Sequence, residues 1–424
     1  MNRISSVDAG WILDSRGIPT VEVAVTLTDG SGGRASAPSG MSTGAYESVE
    51  LRDRDPTLWG GKGVEMALRA VREVIAPALV DKDPREQSNI DSILVALDGT
   101  PDRSHLGANS MLAVSVACAR AGAAAMERPL WRHLARHRPS IPLPMVNVLS
   151  GNLHAPGGMD IQDVLIIPIG APDFATALAW VCTIYRTTHQ LLTNMGVPTL
   201  VGDEGGFGWT ASTSDAAIRL ITEAIGDSGL APGKDVGIAL DIAATHLKMN
   251  NGYRLDGAIL STADLVTVYK QWTEQFPITS LEDPFGEDAW EDWAILHRAL
   301  APTVQLLGDD LIATHERRLS EAAAKHAANA VLIKVNQIGT ITEAMDVVDA
   351  ARRHGWRAVV SARSGETEDD WLADFAVASG AGQIKVGSVA RSERLAKYNR
   401  LLRITREAGA PEYAGGGQSL PAVS

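Results

Sequence analysis

The 424-residue sequence predicts a two-part α/β protein, a barrel of parallel strands preceded by a smaller α+β domain. Three observations carry that prediction. Short apolar runs recur through the second half, each ending in a polar residue and followed by a helical stretch: VGIALD (236–241), ITSLED (278–283), VQLLGDD (304–310), AVLIKVN (330–336), AVVSARS (358–364) and QIKVGS (383–388). Repeated strand-then-helix units imply parallel strands, and this many favour a closed barrel. The first part has another texture, alternating strand and then helix. Between them Pro139, Pro142 and Pro144 mark a stiff connection, which divides the chain into a cap at 1–138 and a barrel domain at 139–424.

In PTVEVAVTLTD, Val21, Val23, Val25 and Leu27 alternate with Glu22, Ala24, Thr26 and Thr28, the period-two pattern of a half-buried strand. Asp29-Gly30 turns it back. From Val64 the period lengthens, and Ala67, Leu68, Val71 and Ile75 fall on one helical stripe. SMLAVSVACARAGAAAM follows, apolar nearly all round and so predicted to be a buried helix. No strict repeat is present, which excludes a solenoid, and the Gly-rich C-terminal tail reads as irregular.

Composition narrows the function classes. The net charge is −13, from 38 basic and 51 acidic residues. That argues against nucleic acid or an anionic membrane as partner, since phosphate polymers need a basic face. No apolar run approaches the roughly 20 residues of a membrane span. The N-terminal MNRISSVDAGWILDSRG lacks a signal-peptide core. The only cysteines, Cys118 and Cys182, lie in apolar surroundings, so the reading is a reducing compartment, the cytoplasm.

In barrel enzymes the working groups sit at the C-terminal ends of the strands. Those ends supply Asp241, Glu282 and Asp309, then Lys334, Arg363 and Lys385. Any one acid is adequately explained as a helix cap, but three consecutive ones suit a hard, oxygen-loving cation, magnesium first and manganese second. Lys334 lies between Ile333 and Val335, where burial is costly unless the amine is paired. A nearby dication would lower its pKa toward that of a usable base. The alternative there is a structural ion pair with one of the same acids. A base beside a metal suits removal of a weakly acidic C–H proton next to a carboxylate, with the resulting dianion held electrostatically. Arg363 and Lys385 would grip an anionic substrate. GDEGGFG (202–208) offers Glu204 as a second acid/base group or merely a solvated turn, and PSGMSTG (38–44) reads as a mobile cap loop carrying Ser42.

That loop also matches G-x-S-x-G, but its flanks, RASAPS and AYESVE, are not the strand and helix of a hydrolase elbow. His133 and His137 share a helix face among arginines, which reads as solvated surface.

The segments LDSRGIPTVEV, PSGMSTGAYESVELRD, LDGTPDRSHLGANSMLAVSVA, VGDEGGF, SLEDPF, KVNQIGT, SARSGETEDDW and GQIKVGSVARSERLAKYN closely resemble enolase, in unbroken order from about residue 10 to 405. The resemblance implies an enolase-type ββαα(βα)₆ barrel with an N-terminal α+β cap, two magnesium ions, a small phosphorylated substrate and a homodimer or larger homo-oligomer. It further implies Asp241, Glu282 and Asp309 as ligands of the first metal and Ser42 of the second. Lys334 looks like the base for the C2 proton of 2-phosphoglycerate, and Glu204 like the acid for the departing C3 hydroxyl. Arg363 and Ser364 resemble the phosphate contacts, Lys385 and Gln162 further substrate contacts, and His154 the loop histidine.

Three departures from the family pattern stand out. Ala362 replaces the histidine of the SHRSGET segment, and the usual QE pair becomes Gln162-Asp163. Pro156, Gly157 and Gly158 make the preceding loop less polar. The proton-abstraction half is intact and the leaving-group side is altered, with Asp163 kept among the catalytic candidates. Three functions are therefore in competition: dehydration of 2-phosphoglycerate to phosphoenolpyruvate; a transferase-like reaction resembling the carboxyphosphonoenolpyruvate synthases of phosphonate antibiotic pathways; and a non-catalytic scaffold, which would need neither the acids nor Lys334.

Overall fold

A computed structural model describes residues 2–41, 43–210 and 213–415. The cap begins with a three-stranded antiparallel sheet, β1 (Ile4–Leu13), β2 (Pro19–Leu27) and β3 (Gly32–Ser36). The alternation in β2 does what period two requires, since Val21, Val23, Val25 and Leu27 are all buried. They face α2 (Ala108–Ala125), whose alanines and small residues let it lie close against β2 and β3. Between sheet and α2, the stripe of Ala67, Leu68, Val71 and Ile75 is buried as expected, but its helix relaxes into a π-helical turn over Ala70–Ile75. The short helix α1 (Gln87–Asp98) completes the cap core.

The barrel has eight strands: β4 (Leu143–Ser150), β5 (Asp163–Ile167), β6 (Gly237–Asp241), β7 (Ile278–Glu282), β8 (Gln305–Gly308), β9 (Ala330–Ile333), β10 (Arg357–Ser361) and β11 (Gly382–Lys385). β11 pairs with β4 to close it. β5 is antiparallel to both neighbours, whereas β6 to β11 run parallel. Two helices, α3 (Phe174–Asn194) and α4 (Ser214–Asp227), follow the antiparallel pair. Six strand–helix units then follow, with α5 (Thr262–Gln275), α6 (Trp290–Leu300), α7 (Glu316–Ala324), α8 (Ile341–Arg353), α9 (Trp371–Ser379) and α10 (Ser392–Ile404). This is the ββαα(βα)₆ order. The six apolar runs are β6 to β11; the structure adds β4, parallel to β11, and β5, which alone is reversed.

The barrel interior is filled. Leu143, Met145, Leu165, Leu307, Leu332 and Val359 form an apolar floor, and Ser280, Gln305 and Gln383 bond one another beside it. A packed floor leaves only the C-terminal rim open for chemistry. Among the described residues no helix is long and apolar enough to cross a membrane.

Candidate active site

Strand register brings the polar ends level. Asp241 on β6 stands beside Glu282 on β7 and Asp163 on β5, and Lys385 on β11 stands beside Ser361 on β10. Asp309 and Lys334 are the first residues beyond β8 and β9, and Arg363 lies two beyond β10. Thus Asp241, Asp309, Lys334, Arg363 and Lys385 line one cavity with His154, Gln162, Glu204 and Ser364. Glu282 reaches the same group through Lys385.

The three acids are met by two lysines. Lys385 Nζ donates to Asp241 Oδ2 at 2.8 Å and to both Glu282 oxygens at 2.7 Å. Lys334 Nζ pairs with Asp309, whose other oxygen accepts from Gln337 Nε2 at 3.1 Å. Burial alone would lower both lysine pKa values; the facing carboxylates outweigh it, so both are raised. The pairs leave a cavity of about 40 Å³, room for little more than water. A divalent ion fits the donors present: three buried carboxylates beside Gln162, whose Oε1 is buried without a partner while its Nε2 donates to Asp241 at 3.2 Å. Among the described residues, the groups that bring three ligand atoms within 4.8 Å of one another are His154–Asp163–Glu204 and Asp283–Asp309–Asp310; Asp241, Glu282 and Asp309 stand further apart, held by the lysines between them. Asp283 is already committed, accepting from the backbone N–H of Asp309 (2.9 Å) and Asp310 (2.8 Å).

Across the mouth stands a buried chain of polar groups. Asp163 Oδ1 accepts from Asn147 Nδ2 at 2.5 Å and Ser150 Oγ at 2.9 Å, and Oδ2 lies 2.8 Å from His154 Nδ1. His154 Nε2 then faces Glu204 at 3.8 Å. Burial pushes His154 down, but Asp163 and Glu204 prevail and hold it at about 9. Glu204 would be raised by burial; His154, Arg394 and Lys385 overcome this and lower it. Glu204 is therefore a carboxylate beside an imidazolium. Asp163 is fully buried and spends both oxygens on protein donors, so it orients His154.

The anion-gripping group is also occupied. Arg363 is forked onto Glu47 of the cap at 2.7 and 3.2 Å and donates to Asn336 Oδ1 at 3.0 Å. Ser364 Oγ accepts from the Met41 N–H at 2.8 Å, and Ser39 bridges Gly365, which docks the cap loop on the barrel rim. Ser42 lies outside the described residues. Between Ser361 and Arg363, Ala362 presents only a methyl group to the cavity. Glu47, Asn336, Asn147 and Ser150 were missed in the sequence. Asn147 carried the same signal as Lys334, a polar residue inside an apolar strand.

Fold and site together define the class, an enolase-superfamily lyase. Residues 4–134 match the family described as "Enolase, N-terminal domain", and residues 138–421 match "Enolase, C-terminal TIM barrel domain". An "Enolase" of Acidothermus cellulolyticus is 49% identical over 414 residues, covering 97% of this chain and 96% of the relative. One of Kineococcus radiotolerans is 48% identical over 417 residues, 98% and 97% of the two chains. The chain belongs to the enolase family. Membership implies a divalent metal and a small phosphorylated substrate.

Proposed function

We propose that this chain is a magnesium-dependent lyase that takes the C2 proton from 2-phosphoglycerate and expels the C3 hydroxyl, giving phosphoenolpyruvate. The observation that carries the reading is the meeting of Asp241, Asp309, Lys334, Lys385 and Arg363 at one buried mouth. Asp241, Glu282 and Asp309 would hold one magnesium ion, and Ser42 would serve a second. When bound, magnesium offsets the negative charge that grows on the substrate carboxylate. With those acids engaged by an ion, Lys385 would be free for the substrate and Lys334 would lose the partner that keeps it protonated. Lys334 then accepts the C2 proton at Nζ. Arg363 exchanges Glu47 for the substrate phosphate, assisted by Ser364, while Lys385 and Gln162 make further substrate contacts. On the far side, the His154–Glu204 pair delivers a proton to the departing oxygen while Asp163 holds the imidazole in place.

We take 1–138 as the cap domain and 139–424 as the catalytic domain. The exposed apolar patch of Trp11, Leu13, Leu58 and Trp59 on the cap, with the two indoles in edge contact at 5.6 Å, supports a homodimer. The test of function is direct. Purified protein with 2-phosphoglycerate and magnesium should form phosphoenolpyruvate, followed by its ultraviolet absorbance, and Lys334→Ala should abolish it. Turnover by Lys334→Ala at a rate near that of the wild type overturns the assignment.

One observation favours a second reading. Ala362 puts a methyl group where the resemblance calls for histidine, beside the leaving-group machinery. The same Lys334 chemistry would then feed a phosphoglycerate-derived enol to a phosphonoformate carried on a cytidine nucleotide. No turnover until that nucleotide is supplied selects this reading; brisk phosphoenolpyruvate formation without it rejects it.

A further inference from the structure

Away from the catalytic rim, α6, α7 and α8 end side by side on a cavity of about 520 Å³ at the opposite end of the barrel. Its position follows from the chain. Asn329 and Trp356 in its lining immediately precede β9 and β10, so it faces the N-terminal ends of the strands. Three of the chain's ten histidines meet there. His297 is in the last turn of α6, His326 follows the end of α7, and His354 caps α8. Their backbones are bonded into the helix ends, but no hydrogen bond is made by any of the three side chains among the described residues, and no carboxylate lines the cavity.

We propose that His297, His326 and His354 form a binding site for a borderline transition-metal ion such as zinc, separate from the catalytic metal. The rings of His297 and His326 have centroids 6.1 Å apart at 40°. Two imidazoles on one tetrahedral ion, with metal–nitrogen bonds of about 2 Å, place their centroids about 5 Å apart. A small side-chain rotation therefore closes the pair on an ion. The ligand atoms of all three histidines do not lie within 4.8 Å of one another, so His297 and His326 form the core. His354 joins by turning its exposed side chain.

Two physical features favour a cation. Three helix C-termini converge here, each carrying roughly half a negative charge from its peptide dipoles. Burial, with His326 and Arg298 nearby, lowers the pKa of His297, which keeps it in the neutral form that binds metals. Imidazole without carboxylate also selects against magnesium, a hard ion that prefers oxygen. The site would thus fill independently of the catalytic acids.

The test is titration of Co²⁺ into the full-length protein held in excess magnesium, read by visible absorption, with Zn²⁺ displacement for affinity. One ion per chain with the intense bands of tetrahedral nitrogen ligation is expected. His297→Ala and His326→Asn should each weaken it at least about tenfold; the asparagine tolerates the left-handed backbone at position 326, where φ is 50°. Thermal melts in the absence of the metal check that both variants are folded, and His354→Ala, on an exposed side chain, provides a third reading. No such bands, or bands unchanged in all three variants, overturn the site. Tighter binding of inorganic phosphate than of zinc at the same cavity overturns it as well, and marks an anion site instead.

Discussion

The two sides of the barrel mouth are built differently. On one side, Asp241, Glu282, Asp309, Lys334 and Lys385 project from strand ends or the residue just beyond, with Lys334 on Asp309 and Lys385 shared by Asp241 and Glu282. On the other, His154 and Glu204 come from loops, Ala362 is the residue just beyond β10, and one buried carboxylate, Asp163 at the start of β5, steers the histidine from behind. Strand ends are fixed by the barrel's own hydrogen bonding, so their geometry follows from the fold. His154 and Glu204 depend instead on side-chain contacts between loops and the buried Asp163. In the proposed mechanism, then, proton abstraction falls to groups fixed by the barrel, whereas the leaving-group side relies on His154 and Glu204, which loops carry.

The largest expected effect breaks the scaffold side. Lys334→Ala should lower kcat for 2-phosphoglycerate by about 10³-fold, within the range for losing a positioned base, and should stop exchange of solvent deuterium at C2. Exchange that persists in this variant would falsify the role given to Lys334.

Next comes the loop side. Asp163→Asn should cost about 10²-fold in kcat with a smaller change in KM, because His154 loses its orienting partner. It should also change how stability varies with pH. The folded-state pKa of His154 is raised to about 9, so its stabilisation is complete below the unfolded value of about 6.5 and is lost as pH rises through about 9. The shift corresponds to roughly 3 kcal/mol. Melting temperature should fall between pH 6.5 and 9 in the wild type and much less in Asp163→Asn; equal slopes would remove Asp163 from this role.

Ala362→His sharpens the contrast. Restoring a polar ring beside the leaving group should raise dehydration of 2-phosphoglycerate by about tenfold. A variant no faster than wild type shows that the departure at 362 does not limit this reaction.

The smallest effect concerns Arg363. Glu47→Gln removes the anion that competes for its guanidinium. KM for the phosphorylated substrate should fall several-fold, on the order of 1 kcal/mol, with kcat nearly unchanged. A raised KM means that Glu47 helps seat the substrate.

Much of this could be read before any coordinates. The alternation of Val21, Val23, Val25 and Leu27 fixed a buried strand face, and six apolar runs with polar ends placed Asp241, Glu282, Asp309, Lys334, Arg363 and Lys385 at one rim. Periodicity and chain order suffice there, because a strand's polar end is local information. The direction of β5 was not legible, since an apolar strand buried on both faces reads alike whichever way it runs. Nor was the partnership of Arg363 with Glu47, 316 residues apart, or of Asp163 with Asn147 and Ser150. Sequence alone thus determined which charged groups exist and on which rim they stand. Only the tertiary structure decided which charge answers which, because Coulomb and hydrogen-bond energies depend on distances of a few ångströms that packing sets.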